Sequence, residues 1–294
     1  METLTDMVAK NAPAKPAISF DRSDVERCLG LPAGQYTNPG FLLAFILGAI
    51  LTVAFFGVLS LIPNSYFAVV FTQRGPVQYV TVFFTAWALS LLLVKALKVR
   101  VQSKPLRVSL LPNDDPGFIL TPSSAEQVLQ IIYRSVDDPK KFLLTHRVHN
   151  ALANLRNMGQ IGDVDDVLKT QAEYDEAVVD SGYTLLKGLI WAIPVLGFIG
   201  TVQGLSMALG SFWGVVSHAK EMDQLRDSLQ GVTGGLATAF DTTLVGLIAA
   251  MAVHLLMILL RRREEAYLDA CKEYCQRYIV GRLRLIRSSE ATEK

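Results

Sequence analysis

Residues 188–217 read GLIWAIPVLGFIGTVQGLSMALGSFWGVVS and contain no charged side chain. A helix needs roughly 20 such residues to cross about 30 Å of hydrocarbon, at a rise of about 1.5 Å per residue. Three further blocks have the same character: 41–62 and 75–94 carry no charge, and 228–260 carries only Asp241 and His254. The sequence therefore predicts an all-α integral membrane protein with four transmembrane helices.

The composition of the chain agrees with this class. Of the 294 residues, 51% are hydrophobic and 19% are charged, and the mean hydropathy is +0.32. These values exclude disordered and fibrous proteins. Lys and Arg total 28 against 27 Asp and Glu, so the near-neutral balance predicts no nucleic-acid partner.

The three cysteines, Cys28, Cys271 and Cys275, are too few for a disulfide framework and lack the paired spacing of a zinc site. We expect reduced cytosolic thiols, with a redox clip between Cys271 and Cys275 as the alternative. We predict no metal site and no cofactor. No nucleophile–base pair, metal spacing or phosphate loop indicates an enzyme.

Charges at the ends of the apolar blocks predict the orientation of the chain. The second block is followed by five basic residues with no acid among them: Lys95, Lys98, Arg100, Lys104 and Arg107. The fourth block ends in Arg261, Arg262 and Arg263. By the positive-inside rule both flanks face the cytosol, as do both termini, and the short connections 63–74 and 218–227 face outward.

The predicted organisation has five segments. They are a loosely ordered cytosolic segment 1–40 with a short helix near Ser23–Leu29, a peripheral hairpin 41–98 with spans 41–62 and 75–96, a cytosolic helical region 99–184, a channel-forming region 185–260 with spans 185–215 and 230–260, and a cytosolic C-terminal helix 261–294.

The cytosolic segments are predicted to extend the spans as long helices. The run from Asp163 flows into the third span without a break, and the helix after Arg261 continues to about Ile286. In the middle region, Ser123 and Ser124 are expected to cap a helix from Ala125, and Asp138-Pro139 marks a break.

The last two spans differ in composition from the first two. The first two are rich in Phe, Leu, Val and Ile, which suits contact with lipid, whereas the last two are rich in Gly, Ala, Ser and Thr, as in helices that pack closely. One face of the third span carries Pro194, Gly197, Thr201, Gly204, Leu205 and Ala208, and one face of the fourth carries Ala239, Thr243, Gly246 and Ala250. Two interpretations stay open: plain helix packing, and a polar lining for something that passes or docks between the helices.

Asp241 is the acidic residue within the fourth span. A carboxylate in an apolar span costs several kcal/mol unless it is neutral, paired or wetted. Asp241 and Thr243 point about 200° apart around a helix, so both cannot face one lumen. Thr238 and Thr242 lie closer to the Asp241 side, as polar support that hydrogen-bonds Asp241 or as the lining of a subunit contact. A structural interhelical bond and direct ion handling are the alternatives for Asp241. For His254 the alternatives are a histidine at a helix interface and a proton relay.

Two stretches resemble signatures of one family. Residues 192–204, AIPVLGFIGTVQG, resemble the P-x-L-G-x-x-G-T-V-x-G signature of the MotA/TolQ/ExbB proton-channel family. Residues 234–247, GGLATAFDTTLVGL, are similar to its second signature, A-L-x-x-T-x-x-G-L. The resemblance covers about residues 160–285. The hairpin at 41–94 is similar to the four-span arrangement of MotA, whereas the motif wording is closer to TolQ and ExbB, which have three spans.

The resemblance implies a ring of five copies around the single transmembrane helices of two MotB/TolR/ExbD-like partner chains, in the bacterial cytoplasmic (inner) membrane. Ions, H⁺ or alternatively Na⁺, would pass between the ring and a partner aspartate and turn the ring. Thr201 and Thr243 match the pore-facing threonines. Pro194 matches the proline of the third span, and close packing is implied for Gly197, Gly200, Gly204 and Gly246.

The sequence thus predicts the channel subunit of an ion-driven rotary motor, in the family that includes protein-transport systems. A non-conducting oligomeric membrane scaffold is the alternative. The chain departs from the pattern at one position, because many TolQ and ExbB sequences have a glutamate where Thr238 stands here.

Overall fold

The structure, a computed structural model, describes residues 18–20, 24–28, 30, 34–107, 119–153, 155, 161–218 and 222–284. Within these ranges the chain is helical, with two isolated backbone bridges and no strand. The α-helices are α1 (Val25–Cys28), α2 (Phe41–Ser60), α3 (Tyr66–Thr72), α4 (Pro76–Gln102), α5 (Pro122–Ser135), α6 (Leu143–Ala153), α7 (Ile161–Ser181), α8 (Thr184–His218) and α9 (Met222–Tyr278). Short 3₁₀ turns cover Pro105–Arg107, Pro139–Lys141 and Val280–Arg282.

Four stretches are long and apolar enough to cross a membrane: Phe41–Ser60, Pro76–Gln102, Ile161–Trp213 and Ser228–Arg282. They include residues of α2, α4, α8 and α9. The predicted all-α membrane fold with four spans is therefore confirmed. The 3₁₀ turn at Pro139–Lys141 follows Asp138, whose carboxylate accepts a hydrogen bond from the backbone N–H of Lys140, at the predicted break.

Several predicted boundaries were wrong. α7 and α8 are separate helices interrupted at residues 182–183, so the run from Asp163 does not reach the membrane span unbroken. α9 ends at Tyr278, whereas Ile286 lies outside the described residues. The connection at 63–74 contains the short apolar helix α3.

The start of α5 was also placed too late. The helix begins at Pro122, and its N-cap is Thr121 rather than a serine. Thr121 and Ser124 form a reciprocal capping box, in which each side chain accepts a hydrogen bond from the other residue's backbone N–H. Proline is well suited to the first position because its fixed φ matches the helix and its missing N–H is not needed there.

The chain divides into two units, each with its own contacts. The membrane unit comprises Gly40–Val94 and Gly182–Arg261, and the polar unit comprises Met1–Pro39, Lys95–Ser181 and Arg262–Lys294.

The polar unit contains ion pairs that are almost fully buried. Arg147 Nε lies 2.6 Å from Asp175 Oδ2, and Lys98 Nζ lies 2.6 Å from Glu26 Oε2. Lys95 Nζ lies 3.2 Å from Glu264 Oε1. Burying a charge is costly unless it is paired, so each of these pairs ties together segments that are far apart in sequence.

The N-terminal segment takes part in this unit, so the expectation of a loosely ordered tail was wrong for its described residues. The backbone N–H of Ile18 donates to Ser135 O at 2.9 Å, and that of Phe20 donates to the carboxylate of Asp137. Helix α1 supplies Glu26 to Lys98. A buried lysine needs a carboxylate, and the segment provides it. The short helix predicted near Ser23–Leu29 is present as α1.

In the membrane unit, α2 and α4 pack closely. A Cβ added at Gly48 would lie 2.7 Å from Trp87 Cα, and Phe45 meets Trp87 edge to face with ring centroids 5.3 Å apart. Of the apolar stretch of each helix, 17% is buried in α2 and 56% in α4. The prediction that the first two spans face lipid therefore agrees with the exposure of α2, whereas more than half of the apolar stretch of α4 is buried within the protein.

Candidate functional site

The two helices of the predicted channel region, α8 and α9, approach each other through glycines. A Cβ at Gly204 would lie 2.5 Å from the backbone nitrogen of Ala239, and a Cβ at Gly235 would lie 2.6 Å from that of Ala208. Further along the pair, a Cβ at Gly246 would lie 3.2 Å from Gly197 Cα. The contact is therefore made by backbone against backbone, which only residues without a side chain allow.

This close contact brings Thr201 and Thr243 together. Their hydroxyl groups are hydrogen-bonded to each other across the two helices. Thr201 Oγ1 also lies 3.3 Å from the carbonyl oxygens of Gly197 and Ala239, and Thr243 Oγ1 lies 3.1 Å from Gly197 O. Thr201 thus contacts one carbonyl of its own helix and one of α9, and Thr243 contacts the carbonyl of Gly197 on α8.

The cluster has more acceptor sites than protons. Each hydroxyl has one proton and two lone pairs, and each carbonyl oxygen has two lone pairs. Within the helices, each carbonyl also accepts from the backbone N–H four residues later, so two hydroxyl and two amide protons serve four oxygen atoms. The remaining lone pairs can accept from water or contact a cation. Both threonines are half-buried, so the cluster is shielded on one side and accessible on the other.

The other predicted packing residues lie along the same contact. Pro194 is inside α8, and Gly197, Gly200, Gly204 and Gly246 are buried. A Cβ at Gly200 would collide with the side chain of Thr242. Thr242 is thus a packing partner of α8.

Thr238 and Thr242 do not contact Asp241 as polar support. Thr238 Oγ1 donates to Gly234 O at 3.0 Å, and Thr242 Oγ1 donates to Thr238 O at 2.9 Å. A threonine within a helix readily donates to the carbonyl four residues earlier, so these hydroxyls are satisfied within α9 itself. Both side chains are buried.

Asp241 has different partners, which the sequence analysis missed. Its Oδ2 lies 2.8 Å from Arg74 Nε, and its Oδ1 accepts from the Tyr66 hydroxyl at 3.3 Å. The exposed fraction is 18% for the Arg74 side chain and 12% for that of Asp241. A signal was available: Arg74 is the one charged residue within 41–94, and Asp241 is the one Asp, Glu, Lys or Arg within 228–260.

The remaining candidates lie apart from this cluster. His254 is exposed on α9. Cys271 and Cys275 are buried free thiols, and the side chain of Cys28 is not among the side chains that the structure describes. No group of three His, Cys, Asp or Glu side chains in the described part of the chain is placed to hold a metal ion.

Residues 137–273 match the family model of the MotA/TolQ/ExbB proton channel family. The matched stretch is 137 of the 294 residues. The match confirms the resemblance of the two signatures and includes α8, both threonines and Asp241. No curated protein and no solved structure gives a significant match to the chain.

The matched residues do not include the hairpin of α2 and α4. Arg74 and Tyr66 precede the match in sequence, while Asp241 lies within it. The Arg74–Asp241 pair therefore joins the hairpin to α9 within the membrane unit.

Proposed function

We propose that this chain is the ion-conducting subunit of a motor driven by an ion gradient, coupling ion flow to mechanical work through a partner. The observation that supports it is the Thr201–Thr243 cluster, in which two hydroxyls and two carbonyl oxygens meet between two spans. Hydroxyl and carbonyl oxygens replace part of the hydration of an ion without adding a fixed charge.

The moving charge would belong to the partner. Asp241 is engaged with Arg74 and points away from the threonines, so a carboxylate that binds and releases ions must come from another chain. We propose two copies of a MotB/TolR/ExbD-like single-span protein with a transmembrane aspartate. H⁺ is the proposed ion and Na⁺ the alternative, with about 2.3 kcal/mol available per charge per 100 mV.

A ring of copies, which we propose to contain five, would cover apolar side chains that one chain leaves exposed. On α8, Trp191 is 72% exposed and Val202 is 69% exposed, and on α9 Phe240 is 72% exposed. The proposed location is the bacterial inner membrane with both termini in the cytosol, because the basic residues flank the spans on that side.

The test compares Thr201→Val, Thr243→Val and the double variant with wild type. The full-length protein is co-purified with the single-span protein encoded beside it, reconstituted in vesicles, and assayed for dye-reported proton uptake under an imposed potential. We expect each valine to slow the flux about tenfold or more, because one hydrogen bond to a charged species contributes about 1.5–3 kcal/mol.

Thr233→Val is the matched control, since Thr233 is exposed on α9 and its hydroxyl donates to Leu229 O of the same helix at 3.1 Å. It should conduct as wild type does, and native mass spectrometry should show the same subunit ratio in all variants. Normal flux in the double variant would disprove the role of the threonines. A wild-type complex that assembles with its partner and conducts nothing would favour the scaffold.

A further inference from the structure

A cavity of about 710 Å³ lies within the membrane unit, between α2, α3, α4 and α9. Its size falls in the range of about 300–1,000 Å³ typical of sites for small molecules. The wall is almost entirely apolar and includes Leu51, Phe55, Phe71, Val82 and Ile248. An apolar occupant is therefore expected.

Two polar residues of the wall have no free donor for a ligand. Thr81 Oγ1 donates to Val77 O at 2.9 Å, and Thr85 Oγ1 donates to Thr81 O at 2.7 Å. Both hydroxyl protons are thus used within α4. Apart from them, polar groups reach this wall at the end where Asp241 and Tyr66 meet.

Arg74 makes this end cationic as well as acidic. In the part of the chain that the structure describes, its guanidinium contacts Asp241 through Nε. An arginine has five N–H donors, so four remain for a ligand. A planar fork of donors matches a phosphate group particularly well.

The depth of the cavity matches one leaflet of a bilayer. Along α9 the wall runs from Asp241 to Ala249, and along α4 from Thr81 to Leu89, each about 12 Å at about 1.5 Å per residue. Asp241 lies 20 positions before Arg261 in one helix, a rise of about 30 Å and hence about one hydrocarbon thickness. The cavity therefore lies toward the end of the span that is opposite Arg261.

We propose that this cavity binds one acyl chain of a glycerophospholipid from the leaflet opposite Arg261, with the headgroup phosphate accepting hydrogen bonds from Arg74. The apolar wall receives the chain, and the polar end receives the phosphate. A second copy of this protein would cover the apolar wall but would bring no anionic group to accept hydrogen bonds from the remaining Arg74 donors. The site lies on the hairpin side of Asp241 and is separate from the threonine cluster.

The experiment uses the full-length protein, purified in detergent, stripped of lipid and titrated with dioleoylphosphatidylglycerol in native mass spectrometry. Dioleoylglycerol, with the same chains and no phosphate, is the matched probe. We expect phosphatidylglycerol to bind about tenfold more tightly than dioleoylglycerol, a difference of about 1.4 kcal/mol.

Two variants address the two ends of the site. Ala54→Trp places an indole at an exposed position of the wall, and its control is Val53→Trp on the same helix, at a position that is 74% exposed and is not part of the wall. Arg74→Gln removes the phosphate donors, and its control is Arg226→Gln, at an exposed arginine of α9 that is not part of the wall. Ala54→Trp and Arg74→Gln should each weaken phosphatidylglycerol binding about tenfold, and both controls should retain it.

Equal binding of the two probes, or equal binding in Arg74→Gln and wild type, would overturn the phosphate contact and with it the proposal. If Ala54→Trp changes the number of subunits without changing lipid binding, the cavity is an interface between copies and the proposal is wrong. Circular dichroism and gel filtration establish that each variant is folded. If Ala54→Trp fails to fold, the comparison of Arg74→Gln with Arg226→Gln decides the outcome.

Discussion

At the scale of single residues, polar groups in the membrane unit are satisfied in two different ways. Thr238 and Thr242 donate to carbonyl groups of their own helix, whereas Asp241 reaches another segment for Arg74 and Tyr66. The difference follows from chemistry, because one hydroxyl proton needs one acceptor while a carboxylate requires a cation or several donors.

The Arg74–Asp241 pair should stabilise the membrane unit. We expect Asp241→Asn and Arg74→Gln each to lower the free energy of unfolding by about 1–3 kcal/mol, because each leaves a mostly buried charged partner without the opposite charge beside it. The double variant should lose clearly less than the two single losses combined. Thermal unfolding in detergent, followed by circular dichroism, measures all three, and strictly additive losses would contradict the pairing.

The sequence allowed part of this chemistry to be predicted. Thr201 and Thr243 were assigned to one site, and the structure brings their hydroxyls together. The support of Asp241 by Thr238 and Thr242 was inferred from helix angles alone, which ignore that a threonine can satisfy itself. Arg74 was missed because helix periodicity relates residues within one span and carries no information on a partner 167 positions away.

At the scale of elements, the contact between α8 and α9 depends on the absence of side chains. A Cβ at Gly204 would lie 2.6 Å from Gly235 O as well as 2.5 Å from Ala239 N, and both are backbone atoms that cannot rotate away. The helices would have to separate to admit it, and the threonine hydroxyls would separate with them.

Gly204→Ala should therefore destabilise the membrane unit by about 1–3 kcal/mol and reduce ion flux. Gly188→Ala on the same helix is the control, since a Cβ there meets nothing within 4 Å and alanine favours a helix over glycine. Thermal unfolding and the vesicle flux assay measure both variants. Equal behaviour of the two would show that close approach at Gly204 is not required.

Helix existence was easier to predict than helix ends. The four spans follow from uninterrupted apolar runs, and all four are present. The break at residues 182–183 has no proline and a single glycine, so no local signal separates it from the helical pattern on both sides. The start of α5 was misplaced because Thr121 and Pro122 act together with Ser124, and serine alone was considered as the cap.

At the scale of the whole molecule, the two units depend on different interactions. Among its described residues, the membrane unit is apolar with the Arg74–Asp241 ion pair, whereas the polar unit contains several buried pairs and two histidines in contact with tyrosines. Tyr36 lies 2.6 Å from His146 Nδ1, and Tyr133 lies 2.9 Å from His149 Nε2.

Acidification should weaken the polar unit. Burial lowers the pKa of His146 and of His149, a change that Lys140 reinforces and Asp138 opposes at both, while Asp175 also opposes it at His146. The unfolded chain takes up protons near the ordinary pKa of about 6.5, which the folded unit resists, so stability is full above that pH and falls below it. The loss is at most about 1.4 kcal/mol per pH unit for each histidine.

Thermal unfolding between about pH 7 and about pH 5.5 measures this effect. The double variant His146→Gln/His149→Gln should lose much of the acid sensitivity, while the remaining carboxylates, including Asp24, whose pKa is raised by burial, titrate as before. Unchanged acid sensitivity in the double variant would assign the effect to those carboxylates.

The involvement of the N-terminal segment in the polar unit was not predictable from composition. Its prolines and mixed charges are typical of a tail, and only the folded chain reveals that Glu26 meets Lys98 in a buried site. Lys98 itself was interpreted as part of a cytosolic basic flank. A count of charges along the sequence cannot tell a solvated lysine from one that is 2% exposed and paired.

The Arg74–Asp241 pair also has a consequence for biogenesis. At about 5–20 residues per second, the ribosome completes Asp241 about 8–33 s after Arg74, because 167 positions separate them. The nascent hairpin therefore enters the bilayer with a guanidinium whose protein counter-charge has not yet been synthesised. During that interval lipid phosphate is the anion within reach, so the lipid composition of the membrane affects how the hairpin is held until the last span arrives.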